Sequence, residues 1–171
     1  IQVSSYFPVV QKVKRVKSWF SGAIKEGVVR DSVLQLRGKL SDFPYQNSTG
    51  VLSADVKAYE TVLEYMQGWP KFTDIQATIT MDKDRIEVTP QTAKMYDSKL
   101  TQAKLVIPSF LQAVLDGQGT LEGDGQNLIH FLADSGLVEK KNSVADQISL
   151  QGNTQLELAF TKSLTEKNPL P

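Results

Sequence analysis

Residues 50–88 read GVLSADVKAYETVLEYMQGWPKFTDIQATITMDKDRIEV, and the spacing of apolar side chains in this stretch decides the fold. Leu52, Ala54, Val56 and Ala58 alternate with Ser53, Asp55 and Lys57, the period-two pattern of a strand with one apolar and one polar face. Thr61, Leu63 and Tyr65 repeat it. Beyond the turn material Gly68-Trp69-Pro70, Ile75, Ala77, Ile79 and Met81 alternate with Asp74, Gln76, Thr78, Thr80 and Asp82. Ile86 and Val88 follow a tight polar turn at Lys83-Asp84. The stretch predicts a meander of four short strands with one apolar face, and the functional question is what covers that face.

Working outward, residues 28–40 carry Val28, Leu34, Leu36 and Leu40 at even positions and predict a strand before the meander. On the far side, Leu100, Leu105 and Ile107 mark a strand within residues 95–107, ended by Pro108. In residues 113–123 the row Ala113, Leu115, Gly117, Gly119, Leu121 and Gly123 shares one face, and three glycines there predict curvature or close approach of another group. A last strand over residues 148–161 shows Ile148, Leu150, Leu156, Leu158 and Phe160. Two helices are predicted. Residues 8–25 carry Val9, Val13, Val16, Phe20 and Ala23 at three-to-four spacing with Gly27 as the stop, and residues 126–135 carry Leu128, Ile129, Phe131 and Leu132. The stripe of the first helix is read as plugging one end of the sheet, its lysines solvated; a membrane-surface helix is the alternative. The fold class is mainly β: one antiparallel sheet of eight or nine strands, residues 28–123, continued by 148–161, within a single domain spanning 1–171.

Charge and composition narrow the function classes. Lys plus Arg and Asp plus Glu are 19 each, so no global field recruits nucleic acid. With no cysteine there is no disulfide, thiolate nucleophile or cysteine metal site. The apolar runs fall well short of the roughly 18 residues of a membrane span.

The search for chemistry returns no catalytic constellation. Gly117, Gly119 and Gly123 miss the dinucleotide fingerprint by one residue and lie in a strand pattern. The single histidine, His130, has no second histidine or cysteine to form a metal site or triad. Asp82, Asp84 and Glu87 lack the spacing of a calcium loop and read as a hairpin turn. Trp69 and Tyr65 read as packing at a Gly-Trp-Pro corner.

Three groups of residues together carry a resemblance. Leu36-Arg37-Gly38-Lys39-Leu40 with Asp42-Phe43-Pro44-Tyr45, the corner Gly68-Trp69-Pro70, and Gly123-Asp124-Gly125 resemble an internal part of the AsmA-like family of Gram-negative envelope proteins, over about residues 17–158. The resemblance implies an elongated, curved, taco-like β-groove whose apolar concave face carries phospholipid acyl chains between inner and outer membranes. It also implies a periplasmic segment of a longer protein held to the inner membrane by a part not in this sequence. No enzymatic activity and no cofactor or metal is expected. The expected partners are phospholipid acyl chains and flanking segments of the same long chain, with no nucleic acid and with membrane contact made outside this segment. The expected groove residues are Leu34, Leu36, Leu52, Val56, Leu63, Tyr65, Ile75, Ile79, Met81, Ile86, Val88, Leu105, Leu115, Leu156 and Leu158. The competing expectation is an envelope scaffold whose apolar face is closed by its own helices, with Trp19, Phe20, Phe131 and Leu132 inserted.

Overall fold

The computed structural model describes residues 22–47, 50–64, 70–134 and 149–164. Seven strands follow one another in space as they do in sequence, each antiparallel to the last: β1 (Ile24–Arg37), β2 (Val51–Leu63), β3 (Phe72–Asp82), β4 (Arg85–Met95), β5 (Ser98–Ile107), β6 (Val114–Asp124) and β7 (Asn153–Ser163). One helix, α1 (Gly125–Asp134), lies between β6 and β7. The architecture is an open, curved sheet, mainly β. Six inter-strand spacings of about 4.8 Å give a sheet roughly 30 Å across.

Curvature comes from interruptions in the ladders. Registers shift between Arg30 and Val33, Ala58 and Thr61, Thr73 and Gln76, and Thr101 and Lys104. Inside each shift sits a residue in the left-handed region: Asp31 (φ 48°), Glu60 (φ 51°), Asp74 (φ 52°) and Gln102 (φ 49°). An extra residue held in this way bends its strand and increases local twist. The strain is carried by polar side chains, and Thr92 Oγ1 secures one of these bends by donating to the Asp74 carbonyl at 3.0 Å. Replacing Asp74 with Val is therefore expected to cost about 1–3 kcal/mol, because a β-branched residue resists this region, whereas Asp74→Gly should leave urea stability unchanged or raise it. Equal effects of the two substitutions would refute a role for backbone strain.

Several boundaries differ from the sequence expectation. Strand pairing begins at Ile24, so residues 24–25 belong to β1 and not to the helix expected over 8–25; residues 8–21 lie outside the described residues. Gly27, read as a helix stop, sits in a register shift of β1 at φ 155°, where a Cβ would press on Thr61 Oγ1 at 2.7 Å. β1 ends at Arg37 because Gly38 turns at φ 136° into the short 3-10 turn Leu40–Asp42. The two short strands expected over residues 52–65 are one strand, β2, kinked at Glu60. The strand expected over 95–107 is β5, which starts at Ser98 because Met95 ends β4 and the chain turns at Tyr96-Asp97 between them. β4 tolerates Pro90 because no β4–β5 pair forms between Val88 and Lys94, so the missing N–H falls in a gap of the ladder. β7 starts at Asn153, since Gly152 uses its carbonyl to accept from Gly125 N–H at 3.0 Å at the start of α1. The sheet thus has seven strands among the described residues where eight or nine were expected.

Two buried clusters occupy the rims to which the strand ends run, and a third, Ile75, Ala77 and Ala93, lies on β3 and β4 in the floor of the same face. At one rim, Met95 and Leu121 of the sheet pack against Leu128 and Phe131 of α1. At the other, Ile107, Phe110, Ala113, Leu115 and Leu164 are joined by Phe43 and Met81. Here the rings of Phe43 and Phe110 stack with centroids 6.2 Å apart. Asp84, in the β3–β4 turn, ties the loops together: its carboxylate accepts from Gln46 Nε2 and Ser109 Oγ, and its carbonyl accepts from Phe110 N–H at 2.8 Å.

Candidate functional site: an apolar trough on the concave face

Register places the apolar positions of successive strands on a single face. One row of paired residues runs Val56, Ile79, Val88, Leu105, Gly117 and Phe160 from β2 to β7. A neighbouring row runs Leu34, Ala54, Met81, Ile86 and Ile107, and another runs Val29, Ala58, Ala77 and Pro90. Neither rim cluster covers the middle of this face, which is a trough bounded by α1 on one side and by the Phe43 and Phe110 loops on the other.

The trough holds two adjoining hollows, of about 110 and 160 Å³. The first lies toward β7 and α1, lined among others by Phe72, Pro90, Ala93, Leu100, Ala103, Gly119, Phe131, Leu158 and Phe160. The second lies toward β1, lined by Ile24, Val28, Val29, Ala58, Ala77, Ile79, Ile86 and Ile107. Leu63, Ile75, Val88, Leu105 and Leu115 line both, so the hollows adjoin along these side chains. Their wall is almost wholly hydrocarbon, with Thr61 and Gln118 the only polar side chains in it among the described residues. Apolar cavities of about 150 Å³ bind small hydrocarbons and exclude water.

The depth has a local cause. Where the glycines of β6 lie, neighbours approach closely: a Cβ at Gly117 would collide with the Phe160 ring, and one at Gly119 would meet Leu100 and Ala103 within 3.2 Å. Gly123 and Gly125 serve the rim instead. A Cβ at Gly123 would overlap Ser98, one at Gly125 would lie 2.6 Å from Leu150 Cβ, and Asp124 between them accepts from Gln126 N–H at 2.9 Å to cap α1.

Of the expected groove residues, Leu63, Ile75, Ile79, Ile86, Val88, Leu105, Leu115 and Leu158 line the hollows. Leu34, Leu36, Leu52, Val56, Met81 and Leu156 share the same face through their pairings but do not line them. Leu52 is buried, while Leu34 is 69% exposed on the edge strand β1. Tyr65 lies outside the described residues. Reading strand alternation alone passes over the contributions of Phe72, Pro90, Ala93, Ala103 and Phe131. Small residues and a proline give little hydrophobic signal, and Phe131 comes from a helix.

The opposite face is polar. Lys104 Nζ lies 2.7 Å from Glu87 Oε1, and Arg85 donates to Glu87 Oε2 at 3.2 Å. The hydrogen bond from Lys104 does most to hold the Glu87 carboxyl below its ordinary pKa; partial burial opposes it, and Arg85 adds to the lowering. A lowered folded-state pKa contributes stability above the unfolded carboxylate value of about 4.3, lost as pH falls through the folded value. Glu87→Gln should therefore lower the urea midpoint slightly at pH 7, and the difference from the parent should narrow as pH falls below the unfolded carboxylate value and vanish once Glu87 is protonated in the folded chain. A gap that does not narrow on acidification would rule out the charge as its origin.

Among the described residues no cluster of His, Cys, Asp or Glu could hold a metal, and His130 is exposed on α1. No helix among them is long and apolar enough to cross a membrane. No curated protein and no solved structure matches the chain. Residues 2–170 match the family described as YhdP protein. With this match spanning nearly all of the chain, and with the curved sheet and its Gly-rich β6-to-α1 turn in place, the protein belongs to the YhdP family.

Proposed function

We propose that the chain is a non-catalytic segment of a lipid conduit in the Gram-negative envelope, in which the trough holds phospholipid acyl chains on their way between inner and outer membranes. The observation that carries this reading is the pair of adjoining hollows on the concave face, walled by hydrocarbon and left without a cover over their centre among the described residues. Exposed apolar area costs roughly 25 cal/mol per Å², a cost that an acyl chain relieves without requiring a polar partner. Family membership supports an envelope role; a periplasmic position follows from that role and belongs to the proposal. The scaffold alternative requires the face to be closed by the protein's own helices. α1 inserts Phe131 at one rim and leaves both hollows in place, which favours the conduit; Trp19 and Phe20 lie outside the described residues.

The test is photo-crosslinking in cells from a reactive residue at position 79, with position 78 on the polar face as control. Phospholipid adducts at 79 and none at 78 are expected. An intact, normally abundant protein with no adduct at 79 would sink the conduit reading.

A further inference from the structure

We propose that α1 is a flap over the rim of the trough that an acyl chain displaces, so that closure by the helix and full occupancy of the floor exclude one another. This inference rests on the reading of the trough as an acyl-chain path and adds a means of regulating it. The floor beneath the helix is a continuation of the trough. Leu100, Leu121 and Leu156 form one paired row, next to the row that joins Gly119 to Leu158. Leu100 and Leu158 belong both to the packing around α1 and to the first hollow, as does Phe131 itself. Leu128 and Phe131 offer this floor the same chemistry as an acyl chain, so exchanging one for the other strands no polar group.

The attachments of the helix differ in kind between its two ends. At its start the chain leaves β6 through Gly123-Asp124-Gly125, pinned by Gly125 N–H to the Gly152 carbonyl (3.0 Å) and Gln126 N–H to Asp124 Oδ1 (2.9 Å), with Gly125 pressed against Leu150. At its far end, Tyr96 Oη donates to Asp134 Oδ2 at 3.0 Å between two exposed residues. The Gly125 end is the pivot and the Tyr96–Asp134 pair is the clasp. A helix of ten residues is marginal in water by itself, so its position depends on the floor it covers.

The absence of cysteine permits clean labelling. Spin labels at His130→Cys on α1 and Lys94→Cys on β4 report the distance between flap and sheet in the 171-residue chain. The distance distribution is measured before and after exposure to vesicles of radiolabelled dioleoyl phosphatidylglycerol, with bound lipid counted after gel filtration. With lipid bound, a second population longer by on the order of 10 Å is expected from tilting a helix about 15 Å long. Tyr96→Phe should raise that population about five-fold without lipid, the loss of one hydrogen bond. Bound lipid with a single unchanged distance would overturn the flap and leave the conduit reading standing; failure to bind lipid at all would overturn both.

Discussion

Ile79→Asp is expected to reduce lipid occupancy of the trough roughly a hundredfold while costing the fold only about 1–2 kcal/mol. Ile79 lines the second hollow and is paired with Val56 on one side and Val88 on the other, so an acyl chain crossing the sheet passes over this row. An aspartate set in hydrocarbon costs about 3 kcal/mol, and each 1.4 kcal/mol is a tenfold change in equilibrium. With the trough empty, the same carboxylate reaches water, because Ile79 is only partly buried; the fold then loses little more than part of one side chain's burial. Thr78→Asp is the matched control: its partners Lys57 and Thr89 lie on the polar face, and it should change neither lipid adducts nor stability by more than about 0.5 kcal/mol. The measurements are lipid recovered with the purified full-length variant and the urea midpoint of the 171-residue chain. If Ile79→Asp unfolds the chain outright, the centre of the concave face is a sealed core and the conduit reading falls.

Leu121→Ala is expected to do the opposite, lowering stability by about 2–5 kcal/mol, or roughly 10 °C in melting temperature. Leu121 lies on the same face but is 0% exposed, enclosed by Met95, Leu128 and Phe131 under α1. Truncation there leaves a cavity that its neighbours, held by strand register, cannot collapse to fill. A loss under 1 kcal/mol would mean that α1 does not seal this rim. The two substitutions together contrast a residue sealed under α1 with a partly buried one on the floor of the trough.

Much of that face is legible in the sequence. Alternation at Leu52, Val56, Ile75, Ile79 and Met81 assigns these residues to one side, because side chains in a strand alternate whatever the sheet's overall shape. The turn at Lys83-Asp84, the helix at Gly125–Asp134 and the close approaches at Gly117 and Gly123 follow from equally local signals. Legibility fails where one residue admits two local meanings. Gly27 stops a helix or opens a bulge with the same ease, and only the register shift of β1 against β2, which sets it close to Thr61, selects the second. Pro90 argues against a central strand until the gap in the β4–β5 ladder removes the need for its N–H.

The sequence by itself therefore determined which side chains are apolar together, that the strands form a meander, and that no cysteine chemistry is available in this chain. Only the tertiary structure decided that the face is a trough. Its curvature depends on Asp31, Glu60, Asp74 and Gln102 taking left-handed conformations within their strands, and such residues look like any other solvated polar position until inter-strand register forces the extra residue out. Which apolar residues are sealed and which stay open was likewise decided by α1 and by the Asp84-bound loops, since burial depends on contacts between elements far apart in the chain while alternation depends only on neighbours.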